Sequence, residues 1–465
     1  MNMMNLHIYC LHNIYTLLKI KIDNKRQTKL GAMETREEKK KEIHRITKSS
    51  STCFHGDDIA GNGVSSDKYI PIDLTREILI RLPAKSIVRF RCVSKLWWSI
   101  TTQQDFINSF VTRQSSIPRQ SLLLTFMAKD DQQKQVFCIF CILSFHENST
   151  NYSDVNHFHI MHPTKDCQYD YYNASVNGLV TFKTETGIVI WNPTIKEHIT
   201  LPQPKISKHV RCFLGYDPKE NTYKILSIDF CKTWEKYQKH KILTLGSQES
   251  WRVITNSPDH YPRRGYYCIN GVVYYRAYIT YEEYHKIYPP FIKEIELDMR
   301  LNEIIMSFDV RSEQFKSIEL PARANQYESK LDESLMTYQG KLAWVCYNSN
   351  MIKLWVLQDL EKQEWSKNEF VLPNLPQRDL LGSAKLSGAT STGEFIYVSG
   401  KYFKDISVFY YDPVRETITS VNGLEYEKFR SCYGSNNDEM ACLRSYPNHI
   451  ENLMSLRNIM CSPIV

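Results

Sequence analysis

The fold is decided first by the stretch Ile70-Pro-Ile-Asp-Leu-Thr-Arg-Glu-Ile-Leu-Ile-Arg-Leu-Pro83, which continues as Ala84-Lys-Ser-Ile-Val-Arg-Phe-Arg-Cys-Val-Ser-Lys-Leu-Trp97. Pro71 suits the first turn of a helix, where a backbone N–H would have no partner in any case. The carboxylate of Asp73 complements the positive end of the helix dipole. Together these residues predict that a first helix begins at the start of this stretch.

Apolar residues within the stretch recur at helical spacing. Leu74, Ile78 and Leu82 are four residues apart, which predicts that they line one face of the first helix. Pro83 cannot continue that helix and is expected to end it.

Two more short helices follow. Ile87, Phe90 and Val93 recur at three-residue steps, and a third helix begins near Ser94 with Leu96, Trp97 and Ile100. Three helices within about 40 residues carry more apolar side chains than so small a unit buries alone. The surplus predicts a partner protein, unless these helices pack on the domain that follows.

The same stretch closely resembles an F-box, the motif that docks onto the Skp-type adaptor of SCF ubiquitin ligases. Pro71, Asp73 and Leu74 stand where that family opens with Leu-Pro and Asp-Leu. The later matches are Glu77-Ile-Leu79, Arg81-Leu-Pro83, Lys85-Ser-Ile-Val-Arg-Phe-Arg-Cys-Val-Ser-Lys95 and Trp97. Ile70 and Ile87 depart from the family's Leu, but each keeps an aliphatic side chain.

The resemblance implies an F-box over residues 69–112 and a set of adaptor-binding residues within it. These are Pro71, Asp73, Leu74, Glu77, Ile78, Leu82, Pro83, Ile87, Phe90, Val93, Lys95 and Trp97. We expect the aliphatic members to dominate the contact, because apolar residues at the centre of an interface carry most of its binding energy.

Beyond residue 118, short apolar runs alternate with turns, and one kind of turn recurs. In each copy an Asp or Asn follows an apolar run, and the next run opens about six positions later. The pairs are Asn192 and His198, Asp217 and Tyr223, Asp309 and Phe315, Asp359 and Trp365, and Asp412 and Ile418. A short acidic or amide side chain can bond the backbone two residues on, so this pattern predicts a tight turn between strands.

A glycine turn alternates with the first kind, at Asn177-Gly, Asn270-Gly, Gln339-Gly and Thr392-Gly. Two alternating turns give about four strands per unit, which is typical of a propeller blade. The interval from Gly178 to Gly271 is too long for one unit and predicts another, built on the turn Gly215-Tyr-Asp-Pro218. We therefore predict an all-β domain, an irregular kelch-like β-propeller, with a large sandwich or an open sheet as alternatives.

This half of the chain resembles the F-box-associated interaction domains of plant F-box proteins. The matching motifs are Asn177-Gly-Leu, Ile190-Trp-Asn-Pro-Thr194, Leu214-Gly-Tyr-Asp-Pro218, Tyr223-Lys-Ile-Leu226, Cys268-Ile-Asn-Gly271 and Ile305-Met-Ser-Phe-Asp309. The resemblance implies that residues 118–425 recognise a target or partner protein, with no known catalytic chemistry.

The net charge of +7 lies mostly outside the predicted domains. Residues 1–50 contain eleven Lys or Arg and five Asp or Glu, so they carry 11 − 5 = +6 and the rest of the chain only +1. A domain that binds nucleic acid shows its excess of basic residues in its folded part. A nucleic-acid partner is therefore disfavoured.

The two ends of the chain read as segments outside the domains. Residues 6–22 are moderately apolar, but charged and polar residues interrupt them, and no cleavage site for a signal peptide follows. We take residues 1–68 as a disordered leader and linker and residues 426–465 as a C-terminal tail. The expected location is cytoplasmic, nuclear or both, with no membrane partner.

Signals for catalysis or metal binding are weak. His157, His159 and His162 lie close together, but no carboxylates at similar spacing support a metal site. The close pair Cys138 and Cys141 lies in an apolar run and reads as reduced thiols of a core strand. There is no phosphate-binding loop or nucleophile elbow. We predict no cofactor, metal or catalysis, with a propeller enzyme as a less favoured alternative.

The sequence thus predicts an α+β multidomain protein, a three-helix F-box followed by a propeller-like domain. Its predicted function is to recognise substrates for an SCF-type cullin ubiquitin ligase. The F-box would bind a Skp-type adaptor and, through it, a cullin, while the β domain holds an unidentified target protein. The alternative is a protein-binding scaffold whose F-box no longer docks.

Overall fold

The structure is a computed structural model that describes most of the chain from residue 70 onward. The described ranges are 70–117, 121–129, 136–143, 159–161, 174–183, 187–202, 210–229, 239–247, 250–279, 303–321, 332–348, 350–372, 384–399, 405–425 and 440–457. The predicted leader and linker, His157 and His162 lie outside these residues.

A helical domain opens the described chain. Its helices are α1 Ile72–Ile80, α2 Ala84–Phe90, α3 Lys95–Thr102 and α4 Gln104–Ser115. The first three were predicted, while α4 is additional and extends the domain beyond the predicted boundary at residue 112. The expectation that Leu82 lies on the first helix is wrong, because α1 ends at Ile80 and the chain turns at Arg81.

The four helices pack around one apolar core. Trp97, Phe106 and Phe110 are among its largest fully buried side chains, so α4 supplies two of them. Phe90 meets Trp97 edge-on, with ring centroids 4.9 Å apart. Ser94 begins α3 as predicted, since its hydroxyl accepts a hydrogen bond from the backbone N–H of Leu96.

Within the described residues after the helices, the strands form six four-stranded antiparallel sheets, which we number as blades. Blade 1 contains β24 Met440–His449, β1 Ser121–Lys129, β2 Val136–Leu143 and β3 His159–Met161. Blade 2 contains β4 Ser175–Val176, β5 Leu179–Lys183, β6 Gly187–Asn192 and β7 Glu197–Pro202. Blade 3 contains β8 Val210–Asp217, β9 Thr222–Asp229, β10 Lys239–Thr244 and β11 Arg252–Val253.

The other three blades keep the same plan. Blade 4 contains β12 His260–Ile269, β13 Val272–Ile279, β14 Glu303–Asp309 and β15 Phe315–Ile318. Blade 5 contains β16 Asp332–Tyr338, β17 Lys341–Tyr347, β18 Met351–Asp359 and β19 Glu364–Val371. Blade 6 contains β20 Ala384–Ala389, β21 Phe395–Ser399, β22 Asp405–Asp412 and β23 Thr417–Glu425.

The blades form a closed ring. Each blade has one edge strand that contacts the corresponding strand of a neighbour, and the contacts run from β24 through β4, β8, β12, β16 and β20 back to β24. Apolar side chains fill the space between neighbouring blades. This arrangement is a β-propeller, and the sandwich and open-sheet alternatives are excluded.

The C-terminal strand closes the ring. β24 is the innermost strand of blade 1 and pairs antiparallel with β1. The prediction that residues 426–465 form a tail, and that the β domain ends at residue 425, is therefore wrong. The turn signals that revealed the other strands are missing here, because the partner of β24 lies at the far end of the domain.

Both kinds of predicted turn are confirmed, and the glycine turns join the first two strands of blades 2, 4, 5 and 6. Asn192, Asp217, Asp359 and Asp412 each accept a hydrogen bond from the backbone N–H two residues on, at 2.9–3.0 Å. The last turn residue is left-handed in every copy, with φ between 52° and 61°: Lys196, Asn221, Glu313, Gln363 and Glu416. The unit predicted on Gly215-Tyr-Asp-Pro218 is blade 3, in which this turn joins β8 to β9.

All these turns lie on one face of the propeller. In an antiparallel four-stranded blade, the first and third connections leave from the same edge of the sheet. We call this side the turn face. The second connection of each blade and the links between blades leave from the opposite side, which we call the loop face. None of the described helices is both long and apolar enough to cross a membrane.

Candidate docking surface of the helical domain

The predicted docking residues fall into three groups by exposure. The exposed ones are Pro71, Asp73, Leu74, Glu77, Pro83, Val93 and Lys95. Ile78, Leu82 and Phe90 are half-buried, and Ile87 and Trp97 are buried. A rigid partner can therefore reach only part of the predicted set.

Two of the predicted residues belong to the core of the helical domain. Ile87 is 0% exposed and Trp97 is 1% exposed, and both pack among the helices. The match of these two positions to the family pattern is thus explained by folding, because the two side chains hold the helices together. Neither side chain is exposed for docking in this structure, and the role of both in adaptor binding stays a prediction.

The predicted apolar face of the first helix is also split. Leu74 is 56% exposed, whereas Leu82 packs against the helical core. Because α1 ends before Leu82, this side chain does not lie on the same helical face as Leu74, despite the four-residue spacing. Leu74 is therefore available to a partner, and Leu82 mainly stabilises the domain.

A set of exposed apolar side chains remains on α1 and around α3. Nine large apolar side chains are exposed among the described residues, and six of them lie within residues 70–117. We define the exposed apolar set as Ile72, Leu74, Val93, Leu96 and Trp98. Isolated exposed apolar residues are ordinary, but this concentration in so small a domain is typical of an interaction site.

Ile72, Leu96 and Trp98 were missed by sequence reasoning as docking residues. One signal was present, because Trp97 and Trp98 are neighbours on one helix. Consecutive helical residues point about 100° apart, so a short helix packed on one side cannot bury both rings. Trp97 is buried and Trp98 is 57% exposed.

Comparison with known proteins identifies both domains. A family model described as the F-box domain matches residues 69–108, and one described as the F-box associated beta propeller domain matches residues 121–450. The chain belongs to the F-box proteins that carry this propeller. The helical domain is its F-box, and the sequence resemblances are confirmed.

Similar proteins from Arabidopsis thaliana share nearly the whole chain. F-box protein At4g21240 is 40% identical over 415 residues, which cover 84% of this chain and 91% of that protein. F-box protein At1g47790 is 36% identical over 439 residues, covering 91% of this chain and 100% of that protein. F-box protein At5g18160 is 34% identical, with the same coverage of both chains. The matched families indicate no catalytic chemistry.

The F-box lies against the turn face of the propeller. Ile195, in the turn between β6 and β7 of blade 2, packs against the F-box core. Leu453, which follows the closing strand, is buried within that core. Because these contacts belong to the turn face, the loop face is directed away from the F-box.

The described part of the loop face carries a buried ionic cluster between blades 4 and 5. The carboxylate of Glu303 accepts hydrogen bonds from Arg276 at 2.6 and 2.8 Å and from Arg263 at 2.8 Å. Arg276 also donates to the backbone oxygen of Glu333 at 3.1 Å and lies over the ring of Trp344, 4.7 Å from its centroid. Burial opposes ionisation of Glu303, but the two guanidinium groups hold its pKa below the usual value.

We expect the two arginines of this cluster to differ in their effect on stability. Arg276 has 14% of its side chain exposed and joins two blades, whereas Arg263 is 40% exposed. Arg276→Ala should lower the free energy of unfolding by about 3 kcal/mol, because it leaves a buried carboxylate poorly paired. The matched variant Arg263→Ala should cost about 1 kcal/mol or less. Urea unfolding of both variants checks this, and equal losses would contradict it.

Three buried histidines predict acid sensitivity of the propeller. Burial lowers the pKa of His240 to about 3, with a further contribution from nearby His260. Burial also lowers the pKa of His260 to about 4 and that of His449 to about 3. In the unfolded chain these groups titrate near their ordinary value, about 6.5. Below that pH the unfolded state binds protons that the folded state does not.

The free energy of unfolding should therefore have its full value above pH 6.5 and fall as the pH drops towards 4. Each histidine contributes a loss of about 2 kcal/mol at pH 5, from about 1.4 kcal/mol per pKa unit. Urea unfolding at pH 7.5 and pH 5 measures the difference, and His449→Gln should reduce it. A free energy of unfolding that does not change between the two pH values would contradict the prediction.

Of the three histidines for which the sequence supported no metal site, only His159 lies among the described residues, in strand β3. Within the described ranges, no three His, Cys, Asp or Glu residues are placed to share a metal ion.

Proposed function

We propose that this F-box protein is the substrate-recognition subunit of an SCF-type cullin ubiquitin ligase. The observation that carries the proposal is the exposed apolar set on the F-box, of which Ile72, Leu74 and Trp98 are 60%, 56% and 57% exposed. Burying the exposed apolar set against a Skp-type adaptor would remove from water five of the six large apolar side chains that are exposed within residues 70–117. At about 25 cal/mol per Å², apolar burial is the main driving force of such contacts.

The proposed mechanism is proximity. The adaptor would connect the F-box to a cullin, and the propeller would hold a target protein beside a ubiquitin-loaded conjugating enzyme. Tethering raises the effective concentration of the target's lysines at the reactive thioester, often to the millimolar range. The protein itself then needs no catalytic group.

We place target recognition on the loop face of the propeller. This face is directed away from the F-box, so a bound target would not compete with the adaptor. The described strand ends at this face include Asp229, Ile279 and Glu303. Residues at the ends and connections of strands on a rigid scaffold are where binding residues usually lie.

A paired capture experiment tests this function. Tagged wild-type protein and Leu74→Asp are expressed in plant cells with the proteasome inhibited, and bound proteins are analysed for attached ubiquitin. We expect both forms to retain the same target, because Leu74 is an exposed residue of the F-box and not of the propeller, and only the wild type to promote its ubiquitination. A target that both forms retain and that the wild type does not ubiquitinate would contradict the ligase role and favour a scaffold.

A further inference from the structure

The segment after the closing strand lies between the two domains. Residues 450–457, which we call the C-terminal strap, follow β24 on the turn face. The two matched family regions end at residues 108 and 450, so they leave the rest of the strap outside. Its side chains contact both the propeller and the F-box.

The propeller side of the strap is held by a buried polar network around Asn452. Its side-chain amide donates to the backbone oxygen of Asn177 at 2.7 Å and to the hydroxyl of Tyr223 at 3.0 Å. Its backbone N–H donates to Thr194 Oγ1 at 3.0 Å. Asn192 donates from its side chain to the backbone oxygens of both Asn452 and Met454. Asn452, Asn192 and Tyr223 are buried, so the loss of one of them leaves the polar groups of the others unsatisfied.

A second anchor holds the end of the strap on blade 2. The carboxylate of Glu197 accepts hydrogen bonds from Ser455 Oγ at 2.8 Å and from the backbone N–H of Leu456 at 2.9 Å. Leu456 is fully buried in the apolar core that blades 2 to 4 share. Gly178 permits the close approach, since a Cβ there would lie 2.5 Å from the backbone oxygen of Ile450.

The opposite side of the strap is part of the F-box. Leu453 is 0% exposed and belongs to the F-box core. Arg91 donates to the backbone oxygens of Leu453 at 3.0 Å and of Thr101 at 2.9 Å, which ties the strap to α3. Burial against the F-box raises the pKa of the Glu451 carboxyl, although a hydrogen bond from the backbone of Ala84 opposes the shift.

We propose that the C-terminal strap fixes the F-box at one orientation on the propeller. Domains joined by a linker normally move relative to each other unless a well-packed interface prevents it. Here one segment completes both apolar cores, so neither domain can turn without exposing Leu453 or Leu456. Given the proposed function, on which this inference rests, Leu453, Asn452 and Arg91 are positioning residues. They set the distance between the bound adaptor and the bound target.

The test measures the distance between the two domains in the full chain. Spin labels are introduced as noncanonical amino acids at Asp105, on α4, and at Lys219, in the first turn of blade 3, and their distance distribution is recorded. One variant ends at Ile450 and therefore lacks residues 451–457 of the strap. Its matched control ends at Arg457, which keeps the strap and removes only the residues after it.

A second variant detaches the strap from the propeller without touching the F-box core. It combines Asn452→Ala with Glu197→Gln. We expect one narrow distance peak for the wild type and the control, and a broad distribution for both strap variants. If the variant that ends at Ile450 does not unfold cooperatively, the double variant alone tests whether the strap fixes the F-box orientation.

A narrow peak at the wild-type distance in the deciding variants would overturn the proposal. Binding of the Skp-type adaptor is measured on the same proteins. Adaptor binding that persists while the distance distribution broadens supports the strap as a positioning element. Absence of adaptor binding in the wild type would contradict the proposed function, and the distance measurement would still decide the role of the strap.

Discussion

Replacing Leu74 by Asp is expected to abolish binding to the Skp-type adaptor while leaving the protein folded. Leu74 is 56% exposed and lies outside the F-box core, so the substitution costs the free protein little. In the complex it would place a carboxylate in an apolar contact, at a cost of about 3 kcal/mol or more. The dissociation constant should rise at least about a hundredfold, which calorimetric titration of the purified proteins measures.

Two further substitutions make this result specific. Val253→Asp changes a residue that is 54% exposed on β11 of the propeller, and adaptor binding should not change. Leu82→Asp should lose binding for a different reason, because Leu82 packs against the helical core and the charge would unfold the F-box. Circular dichroism separates the two kinds of loss. Unchanged affinity in Leu74→Asp would contradict the docking surface.

Deleting residues 440–465 is expected to prevent the propeller from folding. The deletion removes the innermost strand of blade 1, which pairs with β1 and contacts β20 and β4 on either side. Without it the ring is open and the inner edge of β1 has no partner, which is a known route to aggregation. We expect loss of the cooperative unfolding transition and aggregation of the purified protein.

The matched control for this deletion ends at Arg457. It keeps β24 and the strap, so its thermal transition should match that of the full chain. A protein lacking residues 440–465 that still unfolds in one cooperative transition at the wild-type temperature would show that the ring does not depend on β24.

The sequence predicted the F-box position and its helix starts, because capping and spacing act over a few residues. Ser94 and Pro71 mark helix starts that the structure confirms. The sequence alone could not separate docking residues from core residues. Ile87 and Trp97 match the family as well as Leu74 does, yet only packing against α4 decides which side chains stay exposed.

The propeller shows the same division between local and distant information. Its tight turns were predicted because Asp217 or Asp412 bonds its own backbone two residues on. The role of β24 was missed because its partner, β1, is distant in the sequence, and strand pairing between distant segments leaves no local signal. The strap was missed for the same reason, since Leu453 and Asn452 gain their roles only when both domains are in place.

The most direct test of the central claim is the composition of the complex between the full chain and the adaptor. The two proteins are co-expressed, purified by a tag on this chain, and analysed by size-exclusion chromatography with light scattering. We predict a stable complex containing one copy of each protein, which Leu74→Asp does not form. A wild-type protein that is folded, with a cooperative unfolding transition, and elutes without the adaptor would contradict the account.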